Sequence, residues 1–176
     1  MDSGEILTRT TIWLSMVAYA AGLLIFAFSG KSLKHDTTVR LLWTFACAVL
    51  LVHIVCAFHF YHRWSHAAAY LDTARQTRDV IGTNWGGGLY LNYALLIGWI
   101  ADVGWWWLSG LHSYRRRPWL ILVAWHAFLI FIIFNATVIF GNGFTRGAGL
   151  VLCLGLFAAW WHIARAKFAR PGTSRF

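Results

Sequence analysis

The chain has 176 residues, 59% of them hydrophobic, 18% aromatic and only 12% charged, with a formal net charge of +9. A soluble domain of this length carries roughly twice that share of charge, so an ordinary water-soluble globule is excluded. Apolar runs of membrane-spanning length recur, and the basic residues fall between and after them. The positive charge therefore points to topology and anionic headgroups, not to nucleic acid.

A short polar start leads into a first expected span, about residues 11–29. Ala18-Tyr19-Ala20 resembles a cleavage site, but apolar sequence continues to Phe28 and Arg9 is the only basic residue before it, which favours an uncleaved span. A basic connection with Lys31, Lys34 and Arg40 leads to a second span, about 41–61. Residues 63–85 follow as an extramembrane helical connection, either a projection of the second helix or a short helix lying on the membrane. Ala67–Ala69 favour a helix there, and Asp72/Arg75 and Arg75/Asp79 are spaced for ion pairs on its surface. Ala67, Tyr70, Leu71, Ala74 and Ile81 would form its less polar face.

Gly82 and Gly86-Gly87-Gly88 interrupt the pattern without any phosphate-loop signature, and read as a turn or a close packing point. A third span is expected over about 89–108, ending in Trp105-Trp106-Trp107, an interfacial aromatic belt. After Arg115, Arg116 and Arg117, Pro118 is placed to start a fourth span, about 119–140. A glycine-rich turn precedes a fifth, about 150–166, and a basic tail. The expected fold is an all-α integral membrane bundle of about five transmembrane helices in one polytopic domain, residues 1–176. Four helices plus an interfacial or re-entrant segment is the fallback. Five crossings put ten basic residues on the side of the C-terminus and five on the other. The positive-inside rule then predicts the N-terminus outside and the C-terminus cytoplasmic. Segments such as RWSHAAAYLDTARQT and WGGGLYLNY look like pieces of bacterial membrane proteins, so the expected location is a bacterial inner membrane. Cys47, Cys56 and Cys153 lie inside apolar runs and read as packing residues.

The stretch His53 to His66, HIVCAFHFYHRWSH, is the densest in chemistry-bearing groups. On a continuous helix, His59, His62 and His66 fall within about 60° of one another, with His53 about 120° away from His59. Such a ridge supplies imidazole ligands for a transition metal, or hydrogen bonds to neighbouring helices. His59 and His66 would stand roughly 10 Å apart along the axis, so the pair spaced to share one ion, with ligands from elsewhere, is His62 and His66. Asp102 is the only acidic residue inside an expected span, where a carboxylate must be neutralised, paired or hydrated. Counting from the cytoplasmic ends places it at a depth similar to His126 and His162, which allows an Asp102–His126 contact as metal or haem support or as a proton relay.

His53 and His66 are 13 residues apart, a spacing that resembles haem b ligation in membrane cytochromes. His112 and His126 have a similar spacing, but Pro118 and three arginines interrupt them. There is no HExxH, GxSxG or CxxCH. Three readings stay open: a metal- or haem b-binding, redox-associated subunit; a non-catalytic anchor of a larger membrane complex, in contact with lipid and other membrane subunits; and a small transporter or proton relay through Asp102 and His126. In the first, His59, His62, His66 and Asp102 are the candidate metal ligands, and His53, His126 and His162 the candidate cofactor ligands.

Overall fold

A computed structural model describes residues 3–29 and 32–168. Lys31 of the expected basic connection and the expected tail from residue 169 onward, with Arg170 and Arg175, lie outside the described residues, as do the side chains of Arg115 and Lys167. Among the described residues there is no strand. The helices are α1 (Ser3–Phe28), α2 (Leu33–Ala57), α3 (His66–Ile81), α4 (Gly88–Ser109), α5 (Ser113–Arg116), α6 (Trp119–Phe134) and α7 (Gly143–Phe168). A π-helical turn extends α2 over Phe58–His62, and another extends α6 over Asn135–Ile139.

Four helical stretches are long and apolar enough to cross a membrane: Ser3–Phe28, Leu33–His62, Trp119–Ile139 and Gly143–Ala166. The protein is an all-α membrane bundle, but the helices long and apolar enough to cross number about four where five were expected. The expected third span, α4, is 22 residues long but is not among these four. Asn92, Asp102 and its tyrosines and tryptophans offset its leucines and isoleucines. Several helices also begin earlier than the apolar runs do: α1 at Ser3, α2 at Leu33 and α7 at Gly143. Polar first turns extend these helices beyond their apolar runs, as the Glu5–Arg9 pair at 2.9 Å does in α1. At the start of α2, Ser32 Oγ accepts the His35 N–H at 3.2 Å.

The second correction concerns the histidine-dense stretch. Helix α2 does not run on into α3. Arg63 and Trp64 both adopt left-handed backbone, at φ 48 and 61, and the Arg63 N–H closes the π-turn onto the Phe58 carbonyl. Ser65 then caps a new helix by accepting the Ala68 N–H at 3.2 Å, and Gly82 ends it at φ 78. Of the two forms expected for residues 63–85, the separate short helix is the one observed.

The chain divides into two compact units, one of Met1–Tyr19 with Leu41–Trp105 and one of Ala20–Arg40 with Trp106–Phe176. In the first, polar groups tie helices together. Ser15 Oγ donates to the Ala46 carbonyl at 2.8 Å, joining α1 to α2. Gly4 lies so close to Phe60 that a Cβ there would strike the ring. Ala69, Ala74 and Thr77 form the buried face of α3, whereas Leu71 and Ile81, expected on its less polar face, are exposed. Arg75 pairs with Asp72 as expected, at 2.8 Å, but Asp79 is met by Arg78 Nε at 3.5 Å. Gly86 fulfils the close-packing expectation, because a Cβ there would meet the carbonyl and ring of Tyr70.

In the second unit, α6 packs on α7, and Trp160 Nε1 donates to the Val123 carbonyl at 2.9 Å. Thr137, on the π-turn after α6, sits where Cβ atoms on Gly141 and Gly149 would fall. Arg146 donates from Nε to the Val138 carbonyl (3.0 Å) and from Nη2 to the Gly141 carbonyl (2.9 Å). This guanidinium satisfies carbonyls that the end of the helix leaves exposed. Trp106 stacks on Tyr114 at 3.9 Å, Arg117 lies over the same tyrosine at 4.3 Å, and Arg40 covers Trp107 at 3.9 Å. All three cysteines are free and buried, as their apolar surroundings predict.

Candidate functional site

The polar centre of the first unit is Asp102, on the inner face of α4 and only 8% exposed. Its Oδ2 accepts a hydrogen bond from Trp43 Nε1 of α2 at 3.0 Å. Trp43 in turn meets the edge of Tyr19 of α1, with centroids 5.1 Å apart, and Trp99 of α4 at 6.3 Å. Tyr19 and Trp99 close the triangle at 5.6 Å. Tyr19 and Cys47 both lie within electrostatic reach of the carboxylate. An indole N–H on a buried carboxylate is a charge-assisted hydrogen bond, and the surrounding rings keep water from competing with it.

His53 occupies a second helix contact. Its Nδ1 lies 3.0 Å from the Thr8 carbonyl of α1. A carbonyl only accepts, so Nδ1 carries the proton, and Nε2 is left as the nitrogen able to accept a bond or ligate. Thr8 itself donates back to the Gly4 carbonyl at 2.8 Å.

The expected ridge of His59, His62 and His66 is dissolved by the break at Arg63 and Trp64. His59 packs edge-on to Phe60 at 4.8 Å, and His62 edge-on to Phe58 at 5.6 Å. His66 sits in the first turn of α3, where Nδ1 is hydrogen-bonded to the Tyr93 hydroxyl of α4 at 3.0 Å. Tyr90 and Tyr93 flank its ring, and Tyr70 adjoins Tyr90. Among the described residues, no group of three or more His, Cys, Asp and Glu side chains is gathered to hold a metal ion. The metal reading of His59, His62, His66 and Asp102 is thus without a gathered ligand set: the first two histidines pack on aromatic rings, the third meets a tyrosine, and the aspartate an indole. The 13-residue spacing of His53 and His66 likewise no longer lies along one helix, since the two sit on α2 and α3.

Of the remaining candidates, His126 is buried on α6, with the Phe26 ring 6.5 Å away. His162 is exposed on α7, against Phe28 at 4.9 Å. Asp102 belongs to the first unit and both of these to the second.

Tyr93, in the expected third span, is expected to face the histidine-dense layer, and it meets His66 there. Sequence reasoning passed over Tyr19 and Trp43. The available signal was their place within apolar or helical runs, where a phenol or indole needs a partner for its polar tip. Read as interfacial anchors or packing, the tryptophans include Trp43, Trp99 and Trp106, which are all buried, but that reading names no acceptor for an indole N–H. Comparison with protein-family models, curated proteins and solved structures finds no match to this chain.

Proposed function

We propose that this protein is a non-catalytic structural subunit of a membrane assembly, a stiff helical anchor presenting apolar faces to lipid and to neighbouring subunits. One observation carries the reading: the polar groups best placed for chemistry in the first unit are spent on contacts between helices. Trp43 donates to Asp102, His53 to Thr8, and Ser15 to Ala46. Polar side chains in membrane bundles act in this way as glue between helices. Outward, α4 presents Ile97, Trp105 and Leu108, and α7 presents Phe144, Val151, Leu154 and Trp161.

The location that goes with this reading is a bacterial inner membrane, with α4 as a fifth crossing. Through Trp99 and Asp102, α4 packs beside Tyr19 of α1 and Trp43 of α2, in the body of two helices of spanning length. Its length is about 33 Å, enough for a hydrocarbon core of about 30 Å. Five crossings with the basic bias of the connections put the N-terminus outside and the C-terminus in the cytoplasm.

A second reading rests on His53. A histidine whose Nδ1–H is held by a carbonyl is oriented as ligating histidines are, with Nε2 as the ligating nitrogen. In a redox-associated subunit, His53 would supply one ligand to haem b or a metal, with the other ligands coming from elsewhere.

Gentle purification from the native membrane separates these readings. The anchor predicts a stable complex of fixed stoichiometry by native mass spectrometry, unchanged by His53→Gln. The redox reading predicts a Soret band, or about one metal per chain, lost in His53→Gln. A monomeric chain that drives proton or solute flux in liposomes, and loses that flux in Asp102→Asn, would overturn both in favour of transport.

A further inference from the structure

A cleft of about 530 Å³ opens where the π-turn after α2 meets α3 and the loop that follows. Its volume lies in the range of small-ligand sites. Its charged lining comes from α3: Arg75 and Arg78, three residues apart on one helix face, and Asp72. Asp72 is engaged at both oxygens, Oδ1 by Arg75 Nη2 at 2.8 Å and Oδ2 by Gln76 Nε2 at 3.0 Å. Each arginine meets a carboxylate through one nitrogen, Nη2 in Arg75 and Nε in Arg78, so the rest of each guanidinium fork is left to donate. His62 and Asn84 add donors from the other walls. Two guanidinium groups, an imidazole and an amide, with Asp72 already bonded and Asp79, the carboxylate on Arg78, outside the lining, form a site for an anion.

The rim says more about that anion. Leu71 and Tyr61 line the same cleft and are 62% and 53% exposed. Trp64, Val80, Ile81 and Trp85 are exposed on and beside α3. A helix mixing arginines with exposed aliphatic residues and flanked by tryptophans is built to lie in the headgroup region. We propose that the Arg75/Arg78 cleft binds a phosphate ester or phosphate anion, its oxygens bridged by the two guanidinium forks and its organic part laid against Leu71 and Tyr61. This goes beyond the anchor reading and does not depend on it. A phospholipid headgroup and free phosphate share this chemistry.

The test uses the full chain, delipidated in non-ionic detergent. Phosphatidylglycerol and phosphatidylcholine are titrated in mixed micelles and followed by native mass spectrometry, and inorganic phosphate is titrated by calorimetry. Preferential retention of phosphatidylglycerol, weakened on the order of tenfold by Arg75→Gln/Arg78→Gln and untouched by Arg165→Gln, establishes the site with a lipid as its source. Saturable binding of inorganic phosphate with the same pattern of variants establishes it with free phosphate as the source. Asn84→Asp, in the loop, sets a repelling carboxylate at the cleft without altering α3, and weakens either ligand even if the double variant loses helix by circular dichroism. Equal retention of both lipids without phosphate binding, or a loss equally large in Arg165→Gln, overturns the proposal.

Discussion

Replacing Trp43 by Phe and Asp102 by Leu, singly and together, tests whether their hydrogen bond is what holds α2 to α4. Trp43→Phe keeps a ring but removes the donor, leaving a buried carboxylate without the indole; Asp102→Leu leaves a buried N–H without its acceptor. Losing this partner costs each group up to about 1–3 kcal/mol, with the carboxylate toward the top of that range. With both partners gone, neither penalty applies. The double variant is therefore expected to be less destabilised than the sum of the singles. Hydrogen bonds between membrane helices average about 0.6 kcal/mol in such cycles. A charge-assisted bond is roughly twice as strong, and this one is sealed by Tyr19 and Trp99, so a coupling of about 1–2 kcal/mol is expected. Other contacts of the carboxylate cancel in the cycle. The assay is reversible unfolding in mixed micelles, followed by circular dichroism. A coupling below about 0.5 kcal/mol, with additive single effects, would refute the reasoning, since ordinary packing at these positions then accounts for the stability.

Gly86→Ala drives a methyl group into the Tyr70 carbonyl and ring, and is expected to cost about 1–3 kcal/mol in the same assay. Gly104→Ala, which meets nothing within 4 Å on α4, is the control and should be neutral or slightly stabilising. Arg146→Gln loses the two-pronged hold on the Val138 and Gly141 carbonyls, for a loss of about 1–2 kcal/mol; Arg146→Lys should recover only part of it, because an ammonium lacks the fork. Reporter fusions at each end read the topology: a fluorescent protein at the C-terminus should mature in the cytoplasm and one at the N-terminus should not. Both termini on one side would remove α4 from the list of crossings.

The membrane class, four of the helices, the buried cysteines and the role of Gly86 were legible in the sequence because each rests on local composition or on one residue's sterics. The break after His62 was not. Arginine and tryptophan rarely adopt left-handed backbone, and nothing in the string HRWS marks Arg63 and Trp64 as the pair that does. A correct count of helical angles therefore gave a ridge that the chain does not form. The partner of Asp102 was hidden for another reason: Trp43 lies 59 residues away, and helix rotation, which decides the contact, is set by packing. Counting residues from helix ends gave a depth for Asp102 but no direction. Of the expected belt, Trp105 and Trp107 are exposed, whereas Trp106, like Trp43 and Trp99, belongs to the core, where an indole is both large and a donor.

The corner at Arg63 and Trp64 has a mechanical consequence. A continuous helix transmits torque, so that a twist applied at one end turns every side chain along it. Here α3 brings its own beginning in Ser65 and its own stop in Gly82. Its join to α2 is three residues outside any helix, Arg63, Trp64 and the capping Ser65. A pull or twist on α3, from the bilayer surface or from a bound molecule, can be taken up as rotation about a few backbone bonds before it reaches His53 or the Trp43–Asp102 contact. His62 and His66, neighbours by number, thus belong to two different levers, and each can be altered without changing the register of the other.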